Sequence, residues 1–206
     1  MAALVGQAFW LSVAVALTGI LHMVVVKKRW FAGLATPIDG GRKIGGLPIF
    51  GDNKTWRGVF VMIVGSAALG AVQGLLGGAW AERSGAACMD FGGLGVHAGL
   101  PRGPLAFAAG YALVNAVNGL GYALGELPNS FAKRRLQITP GKMGAGLLGG
   151  FFFLLDQADS VLAALGLGAL VFGYGWKIFL VGSLCLTLLH LAINASLYAG
   201  KVRKNL

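Results

Sequence analysis

Long apolar runs separated by short polar islands dominate this chain. The runs cover 8–26, 58–81, 104–125, a stretch within 143–174, and 178–199. Each reaches the roughly 20 residues that a helix needs to cross a hydrocarbon core. The pattern predicts an all-α integral membrane protein with about five transmembrane helices, in one transmembrane domain over 1–206. Gly70, Gly74 and Gly78 recur every four residues and share one helix face, as do Gly121 and Gly125. Such faces let membrane helices approach closely, and they leave a homo-oligomer open. The first run is read as a retained helix. No basic residue precedes it, it has no clear small-x-small cleavage site, and Lys27-Lys28-Arg29 follows it.

The fourth run is too long for one upright span. Residues 143–174 would extend about 48 Å as a straight helix, against about 30 Å of hydrocarbon. Asp156 and Asp159 interrupt it. The expectation is that 143–155 is re-entrant or interfacial and that the span proper starts near Asp156. That places both acids near the membrane surface, because an intramembrane carboxylate is costly unless paired or facing water. A tilted span with deep acids is the other reading.

Composition supports the membrane assignment. Charged residues make up 12% of the chain and hydrophobic ones 56%, while a soluble domain carries about 25% charge. The net charge of +10 does not indicate nucleic acid, because its distribution follows the membrane. Seven Lys or Arg fall in 27–57, four in 126–142 and three in the tail (Lys201, Arg203, Lys204). Only Arg83, Arg102 and Lys177 fall on the other side. The positive-inside rule then gives an N-out, C-in, multi-pass protein of the cell's inner (cytoplasmic) membrane, with long cytoplasmic loops at 30–57 and 126–142. Some of these charges meet anionic membrane lipids. Cys88 and Cys185 are far apart, and His22, His97 and His190 are scattered, so no metal or disulfide spacing appears. The histidines are expected to be structural or incidental. The 82–103 loop carries no evident chemistry.

Three polar islands carry the candidate chemistry. Gly51-Asp52-Asn53-Lys54-Thr55-Trp56-Arg57-Gly58 sets an acid, a hydroxyl and two cations at a membrane boundary. Arg offers bidentate contacts to phosphate and Lys a point charge. The segment is not a P-loop, since Lys-Thr does not follow the second glycine directly. The second island holds Glu126, Asn129, Ser130, Lys133, Arg134 and Arg135, and Ser130, Lys133 and Arg134 share a face if the segment is helical. The third is Asp156 and Asp159, an i, i+3 pair that points one way on a helix. Two such carboxylates suit Mg²⁺, which usually combines one or two carboxylates with substrate phosphates and water. A nucleoside triphosphate held this way would be attacked while Lys and Arg neutralise its charge. Asn115 and Asn118 read as interhelical hydrogen-bonding residues.

These blocks resemble the CDP-archaeol synthase family, which is related to the phosphatidate cytidylyltransferases. The resemblance rests on Gly51-Asp52-x-Lys54-Thr55-Trp56-Arg57-Gly58, Ser130-x-x-Lys133-Arg134-Arg135, and Leu155-Asp156-Gln157-x-Asp159-Ser160. It implies a Mg²⁺-dependent enzyme that joins CTP to a lipid phosphate, giving a CDP-lipid and pyrophosphate. Lys54, Arg57, Lys133 and Arg134 would be catalytic. Asp52, Thr55, Asn129, Ser130 and Arg135 would bind substrate, and Asp156, Asp159 and Glu126 would hold metal. The second block begins Gly125-Glu126 where the family has Gly-Asp, so both an archaeal ether-lipid phosphate and an ester phosphatidate remain candidate substrates. The competing class is a small transporter or channel with an acidic pair in its pathway. It is disfavoured because no internal repeat is present and the polar islands fall on one side. The Asp-rich patterns of CDP-alcohol phosphotransferases and polyprenyl transferases are absent.

Overall fold

The computed structural model describes residues 2–140, 142, 144 and 146–199. Helix α1 is Ala2–Lys27. A loop follows, with a 3-10 turn at Ala32–Leu34 and a hairpin of β1 (Lys43–Ile44) and β2 (Leu47–Pro48). Helix α2 (Trp56–Phe60), a π-helical turn (Val61–Gly65) and α3 (Ser66–Ser84) follow one another without interruption. Then come α4 (Phe91–His97), α5 (Pro104–Arg135), α6 (Gly146–Phe172) and α7 (Trp176–Ala199). The all-α membrane class matches the expectation. Among the described residues, four helices are long and apolar enough to cross a membrane: Ala2–Lys27, Trp56–Ser84, Gly146–Phe172 and Trp176–Ser196. The remaining expected span is α5, whose 32 residues suffice in length but include Asn115, Asn118, Glu126 and Asn129. The three tail cations and Met143 lie outside the described residues.

The long helices form a ring. α1 packs against α3 and α7, α5 against α3 and α6, and α6 against α7, while α4 lies along α5. The glycine faces are at the tightest contacts, as the sequence predicts. A Cβ on Gly70 would sit 2.6 Å from the Tyr111 carbonyl oxygen, and one on Gly74 2.5 Å from that of Phe107. On the other side of α5, a Cβ on Gly121 would sit 2.6 Å from the Ala163 oxygen of α6. At the end opposite the candidate site, Arg102 bridges Glu82 (2.8 Å) and Asp90 (2.9 Å), tying the α4 connection to α3. The Arg102 guanidinium holds the Asp90 carboxyl below the usual carboxylate range, with the Gly93 N–H adding to it. Both cysteines are free.

Two expectations about helix ends are corrected. The chain does not leave the helix at Glu126, because α5 runs through Pro128 to Arg135. Pro128 removes one backbone donor, yet the helix continues past it, and Asn129 and Lys133, one turn apart, both bond across to α6. Nor does the fourth run break at Asp156, since Gly146–Phe172 is one continuous α-helix. The two acids need no break because α5 supplies partners to them. The 30–57 loop is also folded rather than structureless, as described below.

Candidate active site

The site is built at the end of the bundle where α1 finishes, α2 begins, α5 finishes and α6 begins. The loop before α2 positions its part of the site. Thr36 and Ile38 pair with Trp56 and Lys54 through two backbone hydrogen bonds (3.1 and 2.8 Å). Asp39 then staples the loop from within, accepting N–H bonds from Gly41 (2.9 Å), Phe50 (2.9 Å) and Gly51 (3.4 Å). Burial alone would raise the Asp39 carboxyl, but these backbone donors hold it below its ordinary value. Gly51 has φ +100, and a Cβ there would meet Pro140 at 2.9 Å. Only glycine lets the loop turn into the site at this point. Arg135 fixes the hairpin from α5, donating to the carbonyls of Ile44 (2.7 Å), Leu47 (3.1 Å) and Pro48.

A cavity of about 440 Å³ lies beneath this loop. One wall is polar: Asn53 and Lys54 from the loop; Glu126, Asn129, Ser130, Lys133 and Arg134 from α5; Asp156 and Asp159 from α6. The other is mainly apolar, with Val15, Ala16, Ile20 and Met23 of α1 facing Leu186, Leu189 and Ile193 of α7. A charged surface and a greasy surface thus share one cavity, the shape an amphiphile requires.

Helices α5 and α6 are joined through their polar side chains. Asn129 Nδ2 donates to Asp156 Oδ1 (2.6 Å) and to Asp159 Oδ2 (2.7 Å). Lys133 Nζ lies 2.5 Å from both oxygens of Asp156 and 5.5 Å from the centre of the Phe152 ring. Ser160 Oγ donates to Asp159 Oδ1 (2.9 Å) and approaches Glu126 Oε1 at 3.4 Å. Glu126 itself pairs with Lys54. Ion pairing makes these charges tolerable at a membrane boundary. Arg134 is different. It is 5% exposed, and its Nε and one terminal nitrogen are buried with no partner. Unpaired buried donors are costly, and an anion in the cavity would satisfy them. Arg57, expected to be catalytic, does not line the cavity, although its Nε is also buried and unpartnered.

The chemistry of the donors fits a hard cation. Two carboxylate oxygens that share one donor nitrogen can share one ion, and oxygen is what Mg²⁺ selects. Among the described residues no group of three or more His, Cys, Asp or Glu could hold a metal unaided. The fit is therefore to a cation that takes its remaining ligands from substrate phosphates and water.

The predicted residues are not all brought together. Lys54, Glu126, Asn129, Ser130, Lys133, Arg134, Asp156 and Asp159 line the cavity. Asp52 is exposed and does not line it. The Thr55 hydroxyl caps α2 by accepting the Gly58 N–H at 3.4 Å. Arg135, expected to bind substrate, does not line the cavity and turns its two terminal nitrogens to the hairpin carbonyls, leaving Nε buried without a partner. Several lining residues were not predicted. His22 of α1 and the group Tyr122, Gln157, His190 and Asn194 all face the cavity. Asn194 donates to Gln157 Oε1 at 2.7 Å, and His190 Nδ1 lies 3.3 Å from the Gln157 carbonyl oxygen. A polar residue inside an apolar span was the available signal for each. Asp39 could have been suspected from Asp-Gly-Gly, a turn signature.

Comparison with known proteins finds relatives of this chain. A family model described as CarS-like, CDP-archaeol synthase, matches residues 24–204. CDP-archaeol synthase of Halobacterium salinarum is 32% identical over 174 residues, 82% of this chain and 81% of the relative. CDP-archaeol synthase of Halorubrum lacusprofundi is 34% identical over 175 residues, 82% of each chain. CDP-archaeol synthase of Pyrococcus abyssi is 36% identical over 116 residues, 56% of this chain and 55% of the relative. No solved structure is significantly similar.

Proposed function

This chain belongs to the CDP-archaeol synthase family, and from that premise we propose that it condenses CTP with an archaeal ether-lipid phosphate, giving CDP-lipid and pyrophosphate. A phosphate oxygen of the lipid forms a bond to the α-phosphorus of CTP while the bond from that phosphorus to the β-phosphate oxygen breaks. The observation that carries this reading is the two-sided cavity, with cations and carboxylates on α5 and α6 and an apolar surface on α1 and α7.

Each residue then has a task. Asp156 and Asp159 would hold Mg²⁺, which would supply Lewis-acid polarisation of the phosphates. Asn129 keeps the two carboxylates converged. Arg134 offers its unpaired donors to triphosphate oxygens, and Lys54 and Lys133 neutralise charge on the attacked phosphate and on the departing pyrophosphate. The apolar wall admits the first methylenes of the lipid. The lipid enters sideways between helices, since each methylene withdrawn into water would cost about 0.8 kcal/mol. Positive charge concentrates at the site end, so that end faces the cytoplasm, where CTP is found. The catalytic unit is the whole transmembrane domain.

The test is purified protein in lipid nanodiscs, given labelled CTP and a panel of lipid phosphates. Label should move into a CDP-lipid with an ether-linked isoprenoid phosphate, and much less with ester-linked phosphatidate. Equal or faster use of phosphatidate would reverse the substrate assignment. Absence of transfer to any lipid phosphate would overturn the reading.

A further inference from the structure

We infer that Lys133 is the resident counter-ion of Asp156, so that a divalent cation binds weakly alone and tightly only when a triphosphate draws Lys133 away. This rests on the proposed metal role of the two carboxylates and adds an order of events to it. Both oxygens of Asp156 lie 2.5 Å from the Lys133 ammonium, and one of them also accepts from Asn129. While Lys133 stays, both oxygens of Asp156 thus face a cation that is already in place. A second positive ion cannot join it, because like charges at contact distance repel strongly where water is scarce. Phe152 and the burial of the side chain hold the ammonium in place.

Lys133 also has somewhere to go. Its helix neighbour Arg134 and Ser130, one turn before, line the same cavity, and the unpaired donors of Arg134 mark where anionic oxygens would lie. A triphosphate there offers the ammonium new acceptors. Lys133 can then exchange a carboxylate for phosphate as Asp156 becomes available. The empty site pairs Lys133 with Asp156 and Lys54 with Glu126. In the filled site the carboxylates face the divalent cation and the lysine faces phosphate. The device keeps the empty site neutral in its membrane setting and makes metal and nucleotide bind together.

The probe is Mn²⁺ alone, with free ion read by electron paramagnetic resonance, on the full chain in nanodiscs. Lys133→Met should bind Mn²⁺ about tenfold more tightly than wild type. Lys133→Arg keeps the charge and should match wild type, so that tighter binding in the neutral variant alone marks the charge rather than the packing of the side chain. In chelator, the thermal midpoint of Lys133→Met should fall, and Mn²⁺ should restore it more than it raises that of wild type. Lys133→Gln serves the same comparison if the Met variant does not fold. Equal Mn²⁺ affinity in wild type and the neutral variants overturns the inference and leaves the metal assignment standing. Mn²⁺ binding that is absent even with CTP, or that Asp156→Asn does not weaken, overturns the metal assignment and this inference with it.

Discussion

Replacing Asp39 with Asn should loosen the loop that delivers Lys54 while leaving the bundle intact. In the native loop one carboxylate oxygen accepts the Gly41 N–H at 2.9 Å, and the other accepts Phe50 at 2.9 Å and Gly51 at 3.4 Å. Asn keeps one acceptor and turns an amide N–H₂ toward donors already there. A partly buried donor left without its acceptor costs about 1–3 kcal/mol, and the half-exposed setting favours the low end. A loss of about 1.4 kcal/mol is a tenfold shift in the opening equilibrium. Amide exchange at Phe50 and Gly51 should therefore speed up about tenfold, and kcat/KM for CTP should fall by up to that factor. The thermal midpoint should barely move, since no helix contact is altered. The sign of the pH dependence follows from the lowered Asp39 value. The staple is fully present above the ordinary carboxylate pKa of about 3.9 and is lost as pH falls through the lower folded value. Unchanged exchange at Phe50 and Gly51 in Asp39→Asn would refute the reasoning.

The adjacent arginines should separate. Arg134→Met should lower kcat at least about hundredfold, as losing a transition-state donor does, whereas Arg135→Ala should mainly speed amide exchange in the hairpin and raise KM for CTP. Gly74→Val should lower the thermal midpoint sharply or prevent insertion, because its Cβ would already lie 2.5 Å from the Phe107 carbonyl oxygen; a midpoint within a few degrees of wild type would mean that α3 and α5 are not so close. A reporter active only outside the cell should work when inserted in 84–100 and fail in the 40–46 turn, and the reverse pattern would invert the proposed orientation.

Much of this was legible in the sequence because membrane burial writes a strong signal. The runs around 8–26, 58–81 and 178–199 became α1, α2 to α3, and α7, and the glycine faces marked the backbone contacts. All three polar islands contribute to one cavity, through Lys54 before α2, the last turns of α5 and the acid pair within α6. What could not be read was how the polar residues satisfy each other. The 126–142 segment looked like a loop from its start, and Asp156 looked like a break. The two acids are accommodated by Asn129 and Lys133, which reach across from α5, a contact that no local pattern encodes. The role of Arg135 was hidden for the same reason. Its neighbours Lys133 and Arg134 turn into the cavity, and its own position on α5 carries it to the hairpin carbonyls.

The central claim is that the Asp156–Asp159 pair serves cytidylyl transfer. Asp159→Asn tests it directly, since the substitution keeps shape and hydrogen bonding while removing the charge a hard cation needs. Initial rates of label transfer from CTP to the ether-lipid phosphate, at saturating Mg²⁺ in nanodiscs, should fall at least about a hundredfold, or roughly 2.7 kcal/mol of barrier. A folded, inserted Asp159→Asn protein with wild-type rate and wild-type Mg²⁺ dependence would contradict the account.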